Sequence, residues 1–126
     1  MSKYKTQGFG STFRNARKGF RLVIKSERNV RIHLAVGALV MALAIFLHFN
    51  MTKFIILLFA ISFVIIAEMF NTAIEFTLDS YYHNRYNRMV GMAKDISAGA
   101  VMLATVTSII VGLLVFGQAF VEMIIQ

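Results

Sequence analysis

The sequence predicts an all-α membrane protein: an N-terminal amphipathic surface helix and three transmembrane helices in a single domain. Three observations carry this. Of the 126 residues, 58% are hydrophobic, and the mean hydropathy is +0.69. A soluble domain of this length buries too small a share of its chain to hide so much apolar surface. The apolar residues also fall in three long runs with short polar segments between them, as a bilayer solvent requires, and no proline interrupts them. Cysteine is absent, which excludes disulfides and thiolate metal sites. The net charge of +7 suits nucleic acid, an anionic membrane surface or a phosphate-bearing substrate, and its placement has to decide among them.

The surface helix is expected over about residues 11–28. Met1 to Gln7 reads as a disordered tail, with Gly8 and Gly10 as breakers and no cleavable signal peptide ahead of the first apolar run. From Ser11 onward Phe13, Ala16, Phe20, Val23 and Ile24 recur at helical spacing, while Arg14, Arg17, Lys18, Arg21, Lys25 and Arg28 take the other side. That pattern belongs to a helix lying in the membrane interface with its cations toward anionic headgroups. The cations flank membrane segments, which argues against a nucleic-acid arm. Glu27 is the only acid before residue 68. Its spacing from Arg31 favours a local i,i+4 salt bridge over a ligand role.

The first membrane helix is expected over about residues 30–49, apolar except for Arg31 and His33 at its start. Twenty residues at about 1.5 Å each cross the hydrocarbon core, and Arg31 can snorkel to the interface. The short turn Asn50–Lys53 sends the chain back antiparallel. The second membrane helix, about residues 54–78, is roughly 37 Å long, so its last turns should leave the membrane. Residues 79–87 read as a polar, tyrosine-rich loop at the interface. The third helix is expected over about residues 95–124, with Ala100, Ala104, Ser108 and Gly112 as a close-packing face.

Cation placement orients the chain. Lys3, Lys5, Arg14, Arg17, Lys18, Arg21, Lys25, Arg28 and Arg31 precede the first span, the first turn holds Lys53 alone, and Arg85, Arg88 and Lys94 follow the second span. The positive-inside rule puts the N-terminus and the second loop in the cytoplasm and the C-terminus outside. Glu27, Glu68, Glu75, Lys94 and Asp95 then converge on one membrane face.

The second helix carries the chemistry. Residues 68, 71, 72, 75 and 79 share one face, which reads Glu, Asn, Thr, Glu, Asp. Ionisable groups at membrane depth are costly and mark a protein interior or a functional cavity. Glu68 and Glu75 stand about 10 Å apart along the axis, too far to flank one ion, so they serve two stations. A carboxylate away from water suits a general base for a hydroxyl. A second, nearer the interface, suits a magnesium ion that takes its other ligands from phosphate. Asp79 is equally consistent with a solvated helix end. The three histidines are scattered, and no P-loop, HExxH or GxSxG motif occurs. A pore would need polar residues along the whole helix, and residues 54–67 offer almost none beyond Ser62.

Glu68-Met-Phe-Asn71-Thr-Ala-Ile-Glu75, followed by Ala93-Lys94-Asp95-Ile-Ser-Ala-Gly-Ala-Val, resembles the bacterial integral-membrane diacylglycerol kinase family. Lys18-Gly19 and Ser26-Glu27-Arg28-Asn29-Val30-Arg31-Ile32-His33 resemble its undecaprenol kinase branch. The resemblance implies a homotrimer in the bacterial plasma membrane, with a cytoplasmic site that transfers the γ-phosphoryl group of MgATP to a lipid hydroxyl. It implies Glu68 as catalytic base, Glu27 and Glu75 as magnesium ligands that also contact ATP, and Asn71 as their support. Lys94, Asp95 and Tyr86 are implied nucleotide contacts. The branch implies undecaprenol as acceptor, with diacylglycerol as the alternative. The sequence departs from the family at Arg85-Tyr86-Asn87, where Glu-Tyr-His is common, and at Asn15, where some members carry an aromatic.

Overall fold

The structure, a computed structural model, describes residues 8–126. The tail expected over residues 1–7 lies outside the described residues. Four helices follow in order: α1 (Phe9–Ser26), α2 (Arg28–Phe46), α3 (Met51–Tyr82) and α4 (Arg88–Ile125). The last three are long and apolar enough to cross a membrane.

One residue makes the corner between the surface helix and the first span. Glu27 is extended (φ −112°, ψ 111°) and ends α1 while it begins α2. Its backbone N–H closes the last turn of α1 on Val23, and the Val23 and Val30 side chains are buried at the bend. Arg31 does not pair with Glu27. Its guanidinium donates to the Ile24 and Lys25 carbonyls at 2.8 and 3.0 Å. Those are orphan acceptors at a helix C-terminus, and a cation there also meets the negative end of the helix dipole. The salt bridge favoured by spacing is therefore replaced by a cap, and Glu27 has no ionic partner among the described residues. Along α1, Phe9, Phe13 and Phe20 remain exposed on the apolar side, as an interfacial helix needs.

Helix α3 is the centre, packed on α2 along one side and on α4 along the other. It starts at an Asn50 cap that accepts from the Lys53 backbone N–H at 2.9 Å. Its 32 residues make a rod of about 48 Å, and the 38 of α4 make about 57 Å, against a core of about 30 Å. Both overrun the expected limits. The loop of residues 79–87 shrinks to residues 83–87, and α4 begins at Arg88 instead of 95. Polar residues do not stop a helix. What stops α3 is the left-handed backbone of His83 and Asn84, and what starts α4 is the Asn87 side chain capping the Met89 N–H. Gly10 likewise falls inside α1 and breaks nothing.

The α3–α4 seam is a ladder of polar cross-links. Lys94 meets Asp79 at 2.6 Å, Ser97 donates to Asn71 at 2.8 Å, Ser108 donates to the Ala60 carbonyl at 2.8 Å, and Lys53 meets Glu122 at 3.2 Å. Numbers fall on α3 as they rise on α4, which is the antiparallel register. Buried positions on α4 are Val90, Ser97 and Ala104 at steps of seven, then Val115 and Ala119. Ala100 is exposed, contrary to the expected face. Four residues turn a helix about 40° past a full circle, so repeated steps of four drift off a seam that steps of seven hold. Among the glycines, the tight contact lies elsewhere. A Cβ on Gly37 of α2 would sit 2.7 Å from the Ile61 side chain, whereas one on Gly112 meets open space.

At the end away from the polar stripe, Ala44, Leu57 and Val115 form a core that joins α2, α3 and α4. Phe49 and Phe116 stack there at 5.0 Å between centroids. The Gly37 contact predicts that Gly37→Leu destabilises the protein by about 1–3 kcal/mol, since small-to-large changes at a packed contact force backbone shifts. Gly112→Ala should be neutral in the same thermal unfolding measurement in detergent micelles.

Candidate functional site

The polar stripe of α3 leads from the helix core toward the loop end. Glu68 is 3% exposed and Thr72 4%. Thr72 spends its hydroxyl on its own helix, donating to the Glu68 carbonyl at 3.0 Å, so it belongs to the seam and offers nothing to the site. Asn71 is held from both sides. Its Oδ1 accepts from Ser97 of α4, and its Nδ2 donates to Glu75 Oε1 at 3.3 Å. The amide orientation is thereby set, and one Glu75 oxygen is occupied.

Glu68 has a partner that the sequence did not suggest. His33 Nε2 of α2 approaches Glu68 Oε1 at 3.5 Å. The Glu27 and Glu75 carboxylates also act electrostatically on Glu68. The bend at Glu27 sets this acid at the junction of α1 and α2, six residues before His33. The His33 imidazole is the cross-helix ionic partner of Glu68.

His33, Glu68, Asn71 and Glu75 line a pocket of about 530 Å³ with Asn29 and Thr105, apolar residues of α4 lie behind, and Glu27 is not among its walls. A second space of about 430 Å³ runs between α2 and α4 over the face of α3, walled by Val36, Gly37, Val40, Ile61, Leu113 and Phe116 among others. It is almost wholly apolar, and His33 and Thr105 line both spaces.

The expected nucleotide contacts fall apart into groups. Lys94 is paired with Asp79, so Asp79 is a helix-end acid with a cation and not a free solvated one. Both line a smaller pocket of about 210 Å³ together with Tyr86 at the loop. Tyr86 is 92% exposed. Asp95 is exposed on α4 and lines neither this pocket nor the acid-lined one. Glu75 and Asp79 are one turn apart, about 6 Å along the axis, so the two pockets follow each other up the same stripe.

Comparison with known proteins gives this arrangement a family. The model of prokaryotic diacylglycerol kinase matches residues 14–116. The chain belongs to the prokaryotic diacylglycerol kinase family. A diacylglycerol kinase of Synechocystis sp. is 36% identical over 101 residues, which cover 80% of this chain and 58% of that protein. An undecaprenol kinase of Bacillus subtilis is 32% identical over 108 residues, 86% of this chain and 87% of that one. Both are named as lipid kinases. Within the family match lie all four helices' site residues, from the Glu27 bend to Asp95.

Sequence reasoning missed His33 and Ser97. Ser97 had a faint signal: it is the single hydroxyl near the start of α4 on the seven-residue repeat of the seam. His33 had a depth signal, since it stands two turns inside α2 from the Glu27 bend, but nothing in the sequence pairs it with Glu68. The Asn71–Ser97 bond predicts that Ser97→Ala costs on the order of 1 kcal/mol or less, the usual scale for hydrogen bonds between membrane helices. A double-mutant cycle of Asp79→Asn and Lys94→Met should give a coupling below about 1 kcal/mol, because both side chains are more than a third exposed.

Proposed function

We propose that this protein is an ATP-dependent lipid kinase that phosphorylates a membrane alcohol, with undecaprenol as preferred acceptor. The observation that carries the proposal is the buried Glu68 carboxylate in an acid-lined pocket that adjoins an apolar groove at His33 and Thr105. A lipid alcohol needs both environments at one point. Glu68 accepts the hydroxyl proton as the lipid oxygen bonds to the γ-phosphorus. The bond from that phosphorus to the bridging oxygen breaks, and ADP leaves.

Glu27 and Glu75 are the proposed holders of Mg²⁺, with Asn71 keeping one Glu75 oxygen engaged. Two hard carboxylates suit that ion when phosphates supply further oxygens. When bound, the ion neutralises charge on the phosphate oxygens. Lys94, released from Asp79 or shared with it, is the proposed cation for the triphosphate. Tyr86 and Asp95 are proposed nucleotide contacts. Asp95 points away from the acid pocket of its own chain, which supports a homotrimer with sites completed between subunits.

The membrane topology follows the cations: N-terminus, stripe and ATP on the cytoplasmic side of the plasma membrane, C-terminus outside. The undecaprenol preference rests on the relative that matches over most of both chains. Diacylglycerol remains the alternative acceptor, after the other relative.

Radiolabelled phosphate transfer in mixed micelles tests these points together. Undecaprenol should be the better acceptor, and a clear preference for diacylglycerol would overturn that choice. Removing Mg²⁺ should stop transfer. Glu68→Ala should lower turnover by 10² to 10⁴-fold, on the order a general base contributes, while the trimer persists on native mass measurement. An active Glu68→Ala protein would sink the base assignment.

A further inference from the structure

We infer that His33 is a positioning residue for the acceptor hydroxyl: it holds one oxygen of Glu68 so that the other faces the lipid at the mouth of the apolar groove. The inference rests on the proposed lipid kinase reading and assigns a residue that the reading leaves out.

The first ground is electrostatic. The side chains that act on Glu68 are His33, Glu27 and Glu75. Two of them are carboxylates and repel it. His33 alone attracts it, with Nε2 at 3.5 Å from Oε1. A carboxylate so deeply buried keeps a fixed orientation only if a donor holds it. The His33 imidazole, 3.5 Å away on a different helix, is the group placed to do so.

The second ground is position. A lipid alcohol has to cross from the acid-lined pocket to the apolar groove, with its hydroxyl on one side and its chain on the other. Only His33 and Thr105 line both spaces. Thr105 donates its hydroxyl to the Val101 carbonyl of its own helix at 2.9 Å. His33 is thus the polar side chain at the crossing whose hydrogen bonding is turned to the site. With Oε1 engaged, Oε2 is the oxygen left to take the hydroxyl proton.

Two amides separate this role from a packing role. The side-chain nitrogen of glutamine reaches about as far as Nε2, whereas that of asparagine stops near the level of Nδ1. Full-length His33→Gln and His33→Asn are compared with the unmodified enzyme in undecaprenol and diacylglycerol micelles, with thermal unfolding measured beside the kinetics. His33→Gln is expected to keep most of the turnover. His33→Asn is expected to lose on the order of 100-fold in kcat, the scale of a misplaced reacting group, with an unchanged KM for MgATP and an unchanged unfolding midpoint. Equal turnover in the two variants would overturn the inference, whether both are active or both inactive. Glu68→Ala in the same assay separates the layers. If it is inactive while the two His33 variants are alike, the positioning role alone fails. If it is active, the base reading beneath it fails.

Discussion

A carboxylate that is 3% exposed in a membrane helix sets the terms for everything around it. Leaving an unpaired charge in a low-dielectric interior costs several kcal/mol, so Glu68 needs both a partner and a reason to be there. The partner is His33. Bringing it within 3.5 Å requires α2 to lie close against α3, and the Gly37–Ile61 contact one turn further along α2 is where that closeness is secured. The apolar core at the far end, built on Ala44, Leu57 and Val115, acts as the other anchor. Between the two, the helices diverge enough to leave the groove.

The same seam explains why the stripe can hold so many polar groups. Besides Glu68, which meets His33 of α2, polar residues of α3 on this face are answered from α4 or from their own helix: Asp79 by Lys94, Asn71 by Ser97, Thr72 by the Glu68 carbonyl. None of the buried side-chain polar atoms among the described residues lacks a partner. In lipid, where water cannot stand in, that completeness is a condition of folding. Glu75 is half satisfied by Asn71, and Glu27 has no cation among the described residues, which leaves the unspent charge at the end of the site nearest the interface. A cationic or cation-bearing reagent is the natural complement of such a place.

Length does a second job. An α3 of about 48 Å and an α4 of about 57 Å exceed the hydrocarbon core, so their linked ends stand clear of it as a two-helix stalk. The Lys94–Asp79 pair and the Tyr86 loop sit on that stalk. The stripe therefore runs without a break from a buried carboxylate to a solvated ion pair. A reaction that joins a water-soluble donor to a lipid acceptor needs such a gradient along one element.

The number of spans, the amphipathic first helix, the acid face at residues 68–79 and the kinship of the chain were all legible in the sequence. Each depends on local periodicity or on a short motif, and lipid as solvent makes periodicity and composition unusually strict. Helix ends were less legible: residues 79–82 are polar and Arg88 and Lys94 bracket the start of α4, and polarity marks an interface without stopping a helix. Arg31 looked like the partner of Glu27 because i,i+4 spacing brings them together on a continuous helix. The chain bends between the two, and Arg31 caps α1 instead. Contacts between helices were not legible at all. That His33 meets Glu68, that Ser97 sets the Asn71 amide, and that Gly37 packs on Ile61 while Ala100 stays exposed all depend on helix rotation and register. Those are decided by packing over the whole length of α3, which no single segment of the sequence contains.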